Sequence, residues 1–171
     1  LRAPGGAVSF VYGTVHMDDP RLYALPTGAD AAFESAKVVV LEAELDPAAL
    51  SGAGRYVYYH DDTTLPAVVG EALYEKARAA ATRHGLPGDA IARMKPWAVA
   101  SALAMPLPSG RPVLDQLLQM RALEQSKRVA GLETVEEQLS LFDALSREQQ
   151  TQMLADAIEL LRNAELAMYR A

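Results

Sequence analysis

Three short apolar runs, separated from one another by helix-like sequence, constrain the fold of this chain more than any other feature. The runs are Ala7–Tyr12, Val38–Leu41 and Arg128–Leu132. β-Branched and aromatic residues favour strands, and strands that alternate with helices favour a mostly parallel sheet. We therefore predict an α/β fold with a small, mostly parallel sheet and many packed helices. The continuous run Val38–Leu41 predicts a strand that is buried on both faces.

Helix boundary signals fill the segments between these runs. We predict one helix over 65–84 and another from Pro96 to Met105, since proline is favoured in the first turn of a helix. Ser146 and Gln149 have the spacing of a capping box, which predicts the start of a last, long helix. Neither an internal repeat nor a low-complexity segment interrupts the pattern, so we expect a single domain over 1–171.

Composition excludes several classes of function. The chain has 16 basic and 22 acidic side chains and a formal charge of −6. This balance argues against a nucleic-acid partner, because such partners select basic surfaces. The longest apolar stretches are too short to span a bilayer. The chain has no cysteine, so any metal would have to be held by His, Asp, Glu and water.

The first candidate for chemistry is His16, in the segment Tyr12-Gly13-Thr14-Val15-His16. Glycine just after a strand permits a sharp turn of the backbone. The turn would place His16 near the carboxyl end of the first strand, where α/β sheets usually carry their sites. Imidazole is a common metal ligand. The alternative is a histidine that only hydrogen-bonds a neighbouring loop.

The second candidate is Glu42, which directly follows the run Val38–Leu41. If the first two strands are parallel neighbours, Glu42 lies at the same sheet edge as His16. Glu44 lies two residues further on and would point to the same side. His16 and Glu42 would supply two ligands suited to Mn²⁺ or Zn²⁺. The alternative is a solvated residue at the end of a strand.

The third candidate is Glu133, within Gly131-Leu132-Glu133-Thr134. It repeats the arrangement of a short strand followed by a glutamate. Three strands that end in His16, Glu42 and Glu133 would bring their polar groups to one rim. The alternative is that Glu133 only complements the dipole of the helix that opens at Thr134.

Two other features are weaker candidates. Lys95-Pro96-Trp97 is a candidate pocket lining, although a tryptophan more often anchors a core. The segment Tyr58-Tyr59-His60-Asp61-Asp62 contains residues that can bind metal. Its aspartates are better explained as caps of the next helix.

Taken together, these motifs resemble the TraB/GumN family, which is related to the Tiki proteases and, more distantly, to erythromycin-esterase-like proteins. The match extends from about Phe10 to Tyr169. It includes, in order, Gly13-Thr14-Val15-His16, Val40 through Asp46, Lys95-Pro96-Trp97, Leu114-Asp115, Gly131 to Thr134, Gln138, Phe142 and Gln149-Gln150.

The resemblance implies a metal-dependent hydrolase, peptidase-like, with its site at the carboxyl ends of the strands. His16 and Glu42 would be the active-site pair and would hold a divalent metal, Mn, Co or Zn. Glu42 or Glu133 would act as general base. The expected partner is a peptide or small-molecule substrate. The alternative function is a non-catalytic protein that captures a peptide in the same cleft.

The chain departs from the family pattern in one respect. The family's second Gly-x-x-His motif and its functional arginine have no counterpart here. We therefore interpret the chain as the N-terminal portion of the family domain, lacking its C-terminal part.

An incomplete sheet exposes an edge and apolar surface, so we expect self-association. Relatives point to a bacterial cell-envelope or periplasmic location.

Overall fold

A computed structural model describes residues 1–168 apart from 3, 7, 18, 44–51 and 106–109. Its strands are β1 (Val38–Ala43) and β2 (Arg128–Glu133). Short 3-10 turns cover Pro20–Leu22 and Gly88–Arg93. The α-helices, in chain order, are α1 (Thr27–Ser35), α2 (Gly54–Val57), α3 (Leu65–Val69), α4 (Glu71–Arg83), α5 (Pro96–Ala104), α6 (Leu114–Glu124), α7 (Val135–Asp143) and α8 (Arg147–Met168).

The small parallel sheet and the many helices confirm the predicted α/β class. β1 pairs with β2 in parallel, with Val39 beside Val129 and Ala43 beside Glu133. The expected first strand is not formed. Residues 8–12 contain no strand, and Val8 makes only an isolated antiparallel bridge with Arg2. Without a neighbouring strand to complete its hydrogen bonds, this β-rich run stays an exposed extended segment.

Only one face of the sheet is covered, so the predicted burial of Val38–Leu41 on both faces is wrong. Leu41 is buried, whereas Val38 and Val40 are exposed. Successive strand residues point to opposite faces, and helix α6 contacts both strands. Within the part of the chain that the structure describes, the face that carries Val38 and Val40 is open to solvent.

The chain divides into two compact units. Unit 1 comprises Leu1–Leu45 and Pro108–Thr134, and unit 2 comprises Asp46–Leu107 and Val135–Ala171. The single domain expected over 1–171 stays a prediction. None of the described helices combines the length and the apolar character that crossing a membrane requires.

Unit 2 is built around a buried contact between α5 and α8. Val99 and Leu103 of α5 lie in the same core cluster as Leu154 of α8. Pro96 begins α5 as predicted. The capping box before α8 is also confirmed, since the Ser146 N–H donates to Gln149 Oε1 (2.9 Å).

One predicted helix of unit 2 is divided. Gly70 separates α3 from α4 and has a φ of 79° and a ψ of 152°. That backbone conformation is open essentially to glycine alone. The hydrophobic pattern over 65–84 did not reveal the interruption, because both short helices present apolar residues to the same core.

Polar contacts join α1 to the end of α6 in unit 1. Arg121 of α6 forms ion pairs with Asp30 (2.8 Å) and Glu34 of α1. Lys127 Nζ donates to the carbonyl oxygens of Glu34 (2.9 Å) and Ala36 (2.6 Å). A lysine at a helix C-terminus satisfies carbonyl groups that lack partners within the helix. These contacts fix the approach of α1 to β1, which follows it.

Candidate active site

The Gly13–His16 segment is anchored to unit 1 through Thr14. Thr14 Oγ1 donates a hydrogen bond to Asp115 Oδ1 (2.7 Å), in the first turn of α6. The Met17 N–H then donates to the Val15 carbonyl oxygen (2.8 Å), which closes a tight turn around His16. The turn leaves the imidazole exposed. His16 therefore owes its position to Asp115 and a local turn rather than to the predicted strand.

The two glutamates lie at the carboxyl edge of the sheet but on opposite faces. Glu133 is paired with Ala43, so its side chain lies on the covered face with Leu41. Glu42 alternates with these residues and lies on the open face with Val40. The parallel arrangement predicted for the strand ends is correct, but the two carboxylates project to different sides.

His16, Glu42 and Glu133 do not by themselves form a metal-binding group. In the described ranges, no three His, Asp or Glu side chains are grouped so that they could hold an ion. The side chains of His16 and Glu42 make no hydrogen bond or ion pair in this part of the chain. Glu44 lies outside the described residues. The catalytic and metal-binding roles assigned to these residues stay predictions.

Two oxygen atoms on α6 lack partners, and the sequence analysis did not select either one. Asp115 Oδ2 and Gln119 Oε1 are buried and have no hydrogen-bond donor in the described structure. A buried acceptor without a donor is costly, and more so when it belongs to a carboxylate. Carboxylate and amide oxygens are ligands of hard divalent cations. The unpartnered oxygens of Asp115, which contacts Thr14, and of Gln119 are thus of the type that binds such a cation.

The signal that would have selected this pair is the spacing of Asp115 and Gln119. Residues four apart on a helix lie on one face, with Cβ atoms about 5–6 Å apart. Leu114-Asp115 was selected only as one motif of the family resemblance, because nothing in the sequence shows that the second carboxylate oxygen is buried.

The Lys95-Pro96-Trp97 motif belongs to unit 2. Lys95 Nζ forms an ion pair with Asp143 (2.5 Å), and both side chains are largely shielded from solvent. Trp97 is 2% exposed and stacks on Phe142, with ring centroids 5.5 Å apart. The interpretation of Trp97 as a core anchor is confirmed. Its Nε1 is buried and has no acceptor in the described structure.

Lys95 also lines an open cleft in unit 2. The cleft has a volume of about 460 Å³ and is lined by Tyr58, Tyr59, His60, Asp61 and Lys95. Burial raises the pKa of the Tyr59 hydroxyl. Asp61 accepts a hydrogen bond from the Thr63 N–H (3.0 Å). The expectation that these aspartates cap the next helix is wrong, because the N-cap of α3 is Thr64 and no side chain caps that helix.

Comparison with known proteins identifies a family but no individual relative. The model of the TraB/PrgY/gumN family matches residues 2–170, nearly the whole chain. Neither a curated protein nor a solved structure matches the chain.

Proposed function

Because the chain belongs to the TraB/PrgY/gumN family, we propose that it is a metal-dependent hydrolase of the peptidase type. In this proposal His16 and Glu42 bind a divalent metal, Mn, Co or Zn. A carboxylate of the site, that of Glu42 or Glu133, takes a proton from the attacking water.

The observation that carries the proposal is the anchored Gly13–His16 segment. Thr14 is fixed to Asp115 at 2.7 Å, and the turn at Met17 presents an imidazole that is committed to no described partner. The turn positions the backbone around His16, and its imidazole makes no hydrogen bond with a described residue. The imidazole can therefore bind a metal without first breaking another contact.

When bound, a divalent metal would polarise a carbonyl group and lower the pKa of a bound water. His16 and Glu42 would hold the ion at the edge of unit 1. Glu42 and Glu133 project to opposite faces of the sheet. If the reaction takes place on the face that carries Glu42, Glu133 cannot be the general base. Glu42→Gln and Glu133→Gln therefore separate the two assignments.

The alternative proposal is a non-catalytic protein that captures a peptide or a small molecule. One observation favours it: the described residues contain no group of three His, Asp or Glu side chains that would complete a metal site. In that case the same surface would bind its ligand without turnover.

Metal titration of the whole chain tests the leading proposal first. Calorimetry with Mn²⁺, Co²⁺ and Zn²⁺ should show binding that His16→Ala abolishes. His60→Ala is the matched control, because His60 is also an exposed imidazole but lies in unit 2. Equal affinity in the wild type and His16→Ala, or no affinity for any of the three ions, would contradict the proposal.

A peptide library decides between turnover and capture. Mass spectrometry of the library after incubation with the protein and metal should reveal cleaved peptides, and the cleavage should disappear in His16→Ala. Peptides that are retained on the immobilised protein but stay intact would favour the alternative.

A second copy of this chain is a further proposed partner. Support comes from the open face of the sheet, where Val38, Val40 and Leu132 are exposed. Sedimentation velocity over a range of concentrations should show a dimer that Val40→Lys disrupts, with Leu160→Lys as a control at an exposed leucine of α8. A monomer at all concentrations would oppose self-association.

The envelope location rests on the family resemblance alone, and cell fractionation tests it.

A further inference from the structure

We infer that Asp115 Oδ2 and Gln119 Oε1 are oxygen ligands of a divalent cation bound beside the Gly13–His16 segment. The inference rests on the proposed function for the presence of a metal, but not for the hydrolytic reaction. It adds to the site two residues of α6, neither of which the sequence analysis selected as a candidate site residue.

The Asp115 carboxylate has the arrangement of a metal ligand with an outer partner. Its Oδ1 accepts the hydrogen bond of Thr14 Oγ1 at 2.7 Å, and its Oδ2 is buried without a donor. Carboxylates that bind metals are commonly oriented by a hydrogen bond of this kind. Thr14 thus fixes the rotation of the carboxylate and leaves the second oxygen without a partner among the described residues.

Gln119 extends the donor set along the same face of α6. It lies four residues after Asp115, so the two side chains are neighbours on the helix surface. Its Oε1 is also buried and without a donor. A divalent cation satisfies both at once, since amide and carboxylate oxygens bind such ions together.

The chemistry of the donors narrows the identity of the ion. A carboxylate and an amide oxygen are hard ligands, which suit Mn²⁺ and Mg²⁺ more than Zn²⁺. His16 follows Thr14 by two residues, a backbone reach of at most about 7 Å. An added imidazole favours Mn²⁺ over Mg²⁺. We therefore expect Mn²⁺ to be the preferred ion of this site.

A different arrangement would satisfy the same atoms without metal. If the Gln119 amide is rotated by 180°, its Nε2 takes the place of Oε1 and becomes a donor facing Asp115. The two side chains would then form an internal hydrogen bond, and α6 would have no ligand role. This arrangement predicts that no cation binds and that Gln119→Leu destabilises the protein.

Mn²⁺ binding to the whole chain tests the inference by two readouts, calorimetry and the electron paramagnetic resonance spectrum of the bound ion. Asp115→Asn keeps the shape of the side chain and should abolish binding. Thr14→Val, which removes only the outer partner, should weaken affinity by about 10-fold to 100-fold. Glu124→Gln is the matched control, because it removes an exposed carboxylate from the other end of the same helix and should leave affinity unchanged.

Gln119→Glu gives a test that a loss of folding cannot imitate. A second carboxylate beside Asp115 should tighten Mn²⁺ binding if both residues are ligands. If Asp115 and Gln119 instead form an internal hydrogen bond, Gln119→Glu should lower the free energy of unfolding and leave Mn²⁺ affinity without a gain. Unchanged Mn²⁺ affinity in both Asp115→Asn and Gln119→Glu would overturn the inference.

The same experiments separate this inference from the proposed function. Loss of Mn²⁺ binding in His16→Ala but not in Asp115→Asn would overturn the α6 ligands and leave the family site standing. Loss in Asp115→Asn but not in His16→Ala would support the α6 ligands and remove His16 from the metal site.

Discussion

The two compact units stabilise themselves in different ways. Unit 2 has a continuous apolar core in which α4, α5 and α8 contribute fully buried side chains, among them Ala81, Val99 and Leu154. In unit 1, the buried apolar side chains of the described residues are only Leu41, Leu114 and Ala122. Its helices α1 and α6 are joined mainly by the ion pairs of Arg121.

This difference separates the larger apolar core of the chain from its candidate site residues. The partly exposed polar residues His16 and Glu42 and the orphaned oxygens of Asp115 and Gln119 all belong to unit 1. A region with little buried apolar area depends more on polar contacts, and a ligand that joins those contacts adds to its stability. Unit 2 has the larger core and should dominate the free energy of unfolding.

The largest effect should follow from truncation of the core of unit 2. Leu154→Ala removes a side chain that is 0% exposed and should lower the free energy of unfolding by about 2–5 kcal/mol. Leu132→Ala in unit 1 is the matched substitution at a leucine that is 80% exposed, and it should change stability by less than about 0.5 kcal/mol. Urea denaturation followed by circular dichroism measures both. Equal losses would mean that the two units do not differ in this way.

A smaller effect should come from two glycines with different backbone conformations. Gly70 has a φ of 79° and a ψ of 152° between α3 and α4, so Gly70→Ala should destabilise unit 2 by about 1–3 kcal/mol. Gly28 lies in the first turn of α1, and an added Cβ would meet nothing within 4 Å. Gly28→Ala should therefore stabilise unit 1 by about 0.4–1 kcal/mol. The shift in urea midpoint should have opposite sign in the two variants, and a shared sign would contradict the assigned conformations.

The smallest effect concerns an exposed pair in unit 1. Hydrogen bonds from the Arg21 side chain and backbone lower the pKa of Asp19 to about 2. Because this folded-state pKa lies below its ordinary value of 3.8, the pair contributes stability above about pH 4, and the contribution is lost as the pH falls to about 2. Nuclear magnetic resonance titration of Asp19 should show the low pKa in the wild type and a rise toward 3.8 in Arg21→Ala. A wild-type pKa near 3.8 would show that the pair does not form in solution.

Local patterns in the sequence predicted several elements closely. β2 and α5 begin at Arg128 and Pro96 as expected, and the capping box of Ser146 and Gln149 begins α8. Each of these signals depends on residues within one turn or one strand. The carboxyl-edge positions of Glu42 and Glu133 were predictable for the same reason, since each glutamate ends a β-rich run.

Two of the failed predictions required knowledge of distant partners. Strand formation over 8–12 needs another strand to receive its hydrogen bonds, and the sequence does not state which segment that would be. The burial of Val38 and Val40 depends on a layer over the second face of the sheet. The sequence also does not show that one oxygen of Asp115 and one of Gln119 are buried, because only three-dimensional packing determines that.

The sequence by itself determined the α/β class and the strand-end glutamates, because propensity and capping act over a few residues. Tertiary structure decided that Thr14 is fixed to Asp115 across 101 positions of the chain and that Glu42 and Glu133 project to opposite faces. The physical reason is that these features arise from contacts between segments remote in sequence. Local preferences do not specify such contacts, and their energy appears only when the chain packs.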